Sequence, residues 1–150
     1  MSFAAGLAVL DTHLVAAGAA ISPAITNVSQ GERASMTRRI DYYVTGIGDP
    51  AKMGGTDTLT DRMFGVIVAC RVYIPVPDRS ETLAANIEAD LYAVSIDIAQ
   101  RVLGDSTLGG NCTDLRWEGT EFGWLNMPGW LRVATTPFTL DFVEVITKAP

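Results

Sequence analysis

A chain of 150 residues has the length of one ordinary domain and is long enough to close a core without disulfide or metal help. A hydrophobic share of 48% with 19% charged residues excludes a disordered chain. A net charge of −6 argues against a sequence-reading DNA-binding domain, which would carry a basic stripe, but suits a surface that nucleic acid slides past without sticking.

Residues 1–21 are apolar and alanine-rich. No basic segment precedes the apolar run, and Asp11 and His13 interrupt it, so it reads as a helix of the fold and not as a signal peptide. No other stretch is long and apolar enough to span a bilayer, and no membrane partner is expected. Phe3, Leu7, Leu10, Leu14, Ala17 and Ile21 share one helical face and predict a first helix over 2–20. Its other side is mostly alanine and glycine, which lets a neighbouring element come close. Ser22-Pro23 stops it. Residues 24–28 read as a short extended piece, Gln30-Gly31-Glu32 as a turn, and 39–46 as a strand.

Residues 48–60 hold three glycines and a proline with no periodicity, and read as a long loop between two strands. Residues 63–76 then alternate. Phe64, Val66, Val68, Cys70, Val72 and Ile74 take one face, and Met63, Ile67, Ala69, Arg71 and Tyr73 the other. Pro75 and Pro77 end this strand. Asp78 stands at an N-cap position with Glu81 three residues on, and the stretch 79–103, free of Gly and Pro, predicts the longest helix, closed by Gly104.

That helix has two apolar stripes. One runs through Leu83, Ile87, Leu91, Val94, Ile98 and Val102, the other through Ala85, Ala89, Tyr92, Ile96, Ala99 and Leu103. A surface helix needs only one. The second stripe must meet another helix of this chain or another copy of it.

Leu108-Gly109-Gly110-Asn111 reads as a turn, and 112–124 as a strand interrupted at Gly119 by a bulge or a hairpin. Asn126-Met127-Pro128-Gly129 reads as a second turn, and 130–135 and 138–147 as strands, with Pro137 marking an edge or bulge between them. The fold class expected is α+β in a single domain over 1–150: an antiparallel or mixed sheet packed by the N-terminal helix and the long central helix.

Chemistry is sparse. His13 is the lone histidine and lacks the ordered partners that a catalytic triad needs. Metal-protease, nucleophile-elbow and phosphate-loop motifs are absent. Asp49, Asp57 and Asp61 lack the calcium-loop pattern and read as solvated acids. Cys70 and Cys112 form no CxxC and read as buried free thiols, although a disulfide between them stays open. No enzyme, metal or cofactor is expected.

The order helix, strand, loop, strand, helix, strands resembles the tail terminator (tail completion) proteins of long-tailed bacteriophages. So do a strand ending in Pro75-Val76-Pro77-Asp78-Arg79 before a long helix, and Leu108-Gly109-Gly110 leading into Thr113-Asp114-Leu115. The resemblance covers roughly residues 3–147 and rests on pattern, not on an invariant motif. It implies a virion protein of the head–tail junction, assembled in the host cytoplasm as a ring, usually of six subunits. Such a ring caps the tail tube, stops tube polymerisation and meets the head connector, while genomic DNA passes through its pore. The implied partners are other copies of the chain, the major tail tube protein and the head–tail connector protein. Other connector or tube rings, and a small α+β ligand-binding domain or enzyme, are the alternatives. The candidate contact residues are Asp49, Lys52, Met53, Asp57, Leu59 and Asp61 in the loop, and Tyr92 and Ile96 on the second stripe. Trp117, Trp124 and Trp130, clustered with Phe122, form an aromatic group that serves either as core or as interface.

Overall fold

The computed structural model describes residues 2–31, 33, 35–48, 51–55, 59–76, 81–126 and 129–147, with backbone alone at 51–55, 59–63, 81–85 and 144–147. Its elements in order are α1 (Phe3–Ala20), β1 (Val28–Gln30), β2 (Arg39–Ile47), β3 (Ala51–Gly55), β4 (Leu59–Val76), α2 (Glu81–Leu103), β5 (Asp114–Trp117), β6 (Glu121–Asn126) and β7 (Trp130–Thr147). The fold is α+β, with two helices on one mixed sheet of seven strands.

Two strands of 18 residues, β4 and β7, form the middle of the sheet. They pair antiparallel along their whole length, from Leu59 opposite Thr147 to Val76 opposite Trp130, with no register shift. On the outer side of β4 lie β2 and then β3, both antiparallel to it. On the outer side of β7 lie β6 and β5, also antiparallel. Only β1 runs parallel to its neighbour, β2.

Two expectations are corrected here. The stretch 48–60 is not one long loop: Ala51–Gly55 is strand, paired with β4, and β4 itself starts at Leu59. The pairing shifts register between Lys52 and Gly54, so Met53 is the extra residue of a bulge. A bulge breaks the period-two pattern, and β3 is an edge strand whose conformation is imposed by β4. Nothing local announces it.

Pro137 does not split the last strand either, because β7 runs through it. The N–H and C=O of a strand residue point to the same side. The carbonyl of Pro137 accepts from the Glu118 amide at 3.4 Å, which places its missing donor at the gap between β5 and β6. There, three residues of the outer strand face two of β7, a one-residue bulge at Gly119, whose φ is +98°. The proline sits where no ladder bond is lost.

Both helices lie on one face. Leu7, Leu10 and Leu14 of α1, and Leu91, Val94, Ile98 and Val102 of α2, meet Ile40, Val68, Cys70, Val72, Phe138 and Leu140 of the sheet. Of the first stripe of the long helix, Leu91, Val94, Ile98 and Val102 are therefore buried and Ile87 is partly buried. Among the described residues, α1 is the one helix long and apolar enough by composition to cross a membrane, with a mean hydropathy of 1.5, but its Leu10 and Leu14 are fully buried in this core. Ser2 caps α1 by accepting from the Ala5 amide at 3.3 Å. The Asp78 cap expected for α2 lies outside the described residues.

A second, smaller core lies on the helix-free face, where Tyr73, Leu131 and Val133 pack with Met36 and Leu125. The segment 31–38 supplies Met36 as it crosses from β1 to the parallel β2.

The small-residue side of α1 permits one close approach. The Gly18 carbonyl accepts from the Ile25 amide at 2.9 Å, and a Cβ on Gly18 would stand 2.3 Å from the Ile25 carbonyl oxygen. In a free helix, Gly to Ala gains about 1 kcal/mol. Here the clash is with backbone and overrides that gain. Gly18→Ala should destabilise the protein by about 1–3 kcal/mol in urea unfolding, and a stabilised variant would show that α1 and the 21–25 segment are not packed this way.

Candidate functional site

Among the described residues no group of three or more His, Cys, Asp or Glu side chains could hold a metal ion. His13 is half-buried and bonds through Nε2 to Asp105 Oδ2 at 2.9 Å, tying α1 to the turn after α2. Asp105 also accepts from the Gly109 amide at 3.0 Å. The Gly109 hydrogen bond first, and His13 second, hold the Asp105 carboxyl below its ordinary range. Leu108, Gly109 and Gly110 all adopt positive φ in this turn, which is the tight connection that the sequence reading expects.

Cys70 and Cys112 are free and buried. Burial pushes the Cys70 thiol up to about 12 and, with help from Asp114, Asp105 and Asp141, the Cys112 thiol up to about 11. Tyr42 donates to Asp11 Oδ2 at 2.8 Å, joining β2 to α1, and its phenol is also raised, by burial first and then by that carboxylate. These groups hold elements together.

The proposed contact residues fall in three places. Asp49 and Asp57 lie outside the described residues. Lys52 and Met53 are on β3 and Leu59 and Asp61 at the start of β4, so they belong to a strand pair at one end of the sheet and not to a free loop. Tyr92 is 62% exposed and Ile96 half-buried on α2. Ala99 of the same stripe is buried while Leu103 is exposed, so only part of the second stripe finds cover within the chain.

Trp117, Trp124 and Trp130 all stand on the helix-bearing face, opposite Phe138, Arg132 and Asn126 respectively. Trp124 and Trp130 meet edge to face at 6.2 Å. Arg132 lies over the Trp124 ring at 4.9 Å, donates to the Gly123 carbonyl at 2.9 Å and to Glu88 of α2 at 2.6 Å. This anchors β6 to the helix layer. Trp117 and the neighbouring Phe122 are partly exposed beside it.

The sequence reading missed an apolar groove of about 160 Å³ at the other end of the helix-bearing face, lined by Phe3, Ile47, Phe64, Val66 and Phe142. Phe3 and Phe142 pack edge to face at 5.7 Å, while Ile47 is 66% exposed. A signal was present in lengths alone. An 18-residue strand spans about 60 Å, whereas helices of 18 and 23 residues span about 27 and 35 Å. Part of the sheet must outrun its cover.

It also missed a buried charge network on the helix-free face. Arg39 and Asp41, both 0% exposed, are joined at 3.1 Å. Arg33 binds Asp41 as well, and Arg39 donates to the carbonyls of Ser35 and Arg33 while stacking 3.8 Å over the Tyr73 ring. Opposite charges two apart on a strand, Arg39 and Asp41 alternating with the apolar Ile40 and Tyr42, are its trace in the sequence.

No protein-family model matches the chain, and no curated protein matches it.

Two outcomes follow from these groups. A thiol raised to about 11 is ionised in roughly one molecule in a thousand at pH 8. Neither cysteine of the native protein should react with iodoacetamide within an hour at pH 8, and both should react in urea. Fast native labelling would mean an exposed, activated thiol. For Asp105, a carboxyl held below its ordinary value of 3.8 stabilises the fold above that pH and loses this contribution as the pH falls through the lower native value. The unfolding free energy of Asp105→Asn in urea should therefore trail the parent at pH 7, by no more than about 1 kcal/mol for a partly exposed pair, and the gap should close at the acid end.

Proposed function

We propose that the chain is a structural protein of the tail terminator type, forming a ring at the head-proximal end of a long-tailed bacteriophage tail. The reading is supported by the order of elements and by the surface. The order is helix, strands, long strand, long helix and closing antiparallel strands, the sequence of parts that the resemblance implies. The observation that carries it is the distribution of exposed apolar side chains. Val44 and Ile47 near one end of the sheet, Tyr92 and Leu103 on α2, and Trp117 and Phe122 at the far edge are exposed in separate places.

Closed rings are built from unlike patches on two sides of one subunit, so apolar surface at several separate places fits that geometry better than one patch would. Among the described residues both sheet edges are also unpaired beyond β1, β3, β5 and β6, which leaves backbone donors and acceptors open to a neighbour. Net acidity keeps a pore lining from holding DNA. Capping the tube, halting its growth and meeting the connector are the activities proposed with the ring.

The decisive test is genetic. A phage carrying a stop codon in this gene should make tails of uncontrolled length that do not join heads, and the protein supplied in trans should restore both length and joining. Tails of normal length that join heads normally would reject the reading.

A further inference from the structure

The helix layer presents an outward surface with almost no charge. Among the described side chains of α1 and α2, the charged residue most exposed is Glu88, and it is bound to Arg132. On α1 the exposed positions include Ala4, Ala8, Val15 and Ala19; on α2 they include Ala89, Tyr92, Ala93, Gln100 and Leu103. The charges of α2 sit on its flanks, where Asp97 pairs with Arg101 at 3.0 Å. A solvent-facing helix ordinarily turns its charges outward. Here, in an acidic protein, the outward face has the composition of a covered one.

The same chain holds an uncovered apolar groove, Phe3, Ile47, Phe64, Val66 and Phe142, at the end of the sheet that outruns the helices. We infer that the two surfaces are the halves of one contact between copies: the outward face of α2 around Tyr92 and Ile96 seats in the groove of the next copy. This rests on the ring reading and names the surfaces that close it.

Shape and area argue for the unlike pairing. The groove is concave and a helix is convex, so groove on groove leaves a void and helix on helix touches along a line. Helix on sheet is also the packing used inside the chain. Side chains of this size bury roughly 150–250 Å² each, so each partly exposed patch offers on the order of 300 Å². Together they reach about 600 Å², close to the apolar share of a small specific interface of about 1,200 Å². A lipid surface is the poorer occupant, since the flanks of the helix face carry Asp90 and Asp97, which anionic headgroups repel.

The test uses Ile47→Cys and Tyr92→Cys, both at exposed positions where the fold tolerates change, with a short bismaleimide. Cys70 and Cys112 are buried and do not compete. Mixed at rising concentration, the two variants should give a two-copy product that neither gives alone. One chain carrying both substitutions should give a ladder that stops at the copy number of the ring. Products of like with like, or no product at any concentration, would overturn the contact. A closed oligomer by light scattering without the Ile47–Tyr92 link would overturn the contact and leave the ring. A ladder stopping at two copies would keep the contact and remove the ring. Flotation of the unaltered protein with phosphatidylglycerol vesicles, abolished by Tyr92→Asp, would overturn the contact in favour of a lipid surface.

Discussion

The pairing of β4 with β7 is the constraint on which the rest depends. Eighteen residues of each strand face one another without a slip. Side chains alternate between faces along a strand, so this one register decides which residues lie under the helices and which lie on the other side. The outer strands then adapt to the ribbon by breaking. β2 and β3 share one flank of β4, and β6 and β5 share one flank of β7, with bulges at Thr45, Met53 and Gly119 absorbing the mismatch. Long unbroken strands in the middle and bulged ones at the edges are how a twisted sheet of this length stays paired.

The two faces of the ribbon differ in kind. The helix-bearing face runs from the Trp124–Trp130 pair, where Arg132 binds Glu88 of α2, through the main core to the apolar Phe3–Phe142 pair at the other end. The opposite face carries the small core of Tyr73, Leu131 and Val133 together with polar pairs, Arg71 bonded to Thr135, Arg116 to Asp141, and the Arg33–Asp41–Arg39 group. That two-sidedness concentrates the exposed apolar surface on the helix side. Any assembly that buries it leaves the polar side as the exposed one.

Much of this was legible in the residues, and the failures have physical causes. The apolar spacings of Leu7, Leu10 and Leu14, and of Leu91, Val94, Ile98 and Val102, read as helices because each buries one face against one sheet. Alternation from Phe64 to Ile74 read as a strand for the same reason. β3 was illegible because Gly54 and Gly55 have no side chains to alternate and Met53 is bulged. Pro137 misled because the rule against proline in a strand assumes a neighbour needing its donor, and at Pro137 the neighbour is interrupted. The aromatic group divided: Trp124 and Trp130 pack together, while Trp117 stands apart on β5. The apolar groove could not be read from any one segment, since Phe3, Ile47, Phe64 and Phe142 meet only through the topology.

The buried ion pair on β2 acts as a lock on alignment. Ile40 and Tyr42 face the helices, while Arg39 and Asp41 face the other way. Sliding β2 by one residue against β4 would exchange the two sets. Arg39 and Asp41 would then enter the leucine-lined space under α1, where neither Arg33 nor the Ser35 carbonyl waits for them, and a buried charge stripped of its partner costs about 3–5 kcal/mol. An apolar pair in those positions would tolerate the slip far better. The two charges thus guard the chain against a misaligned sheet, and they do so from within a single copy of the chain.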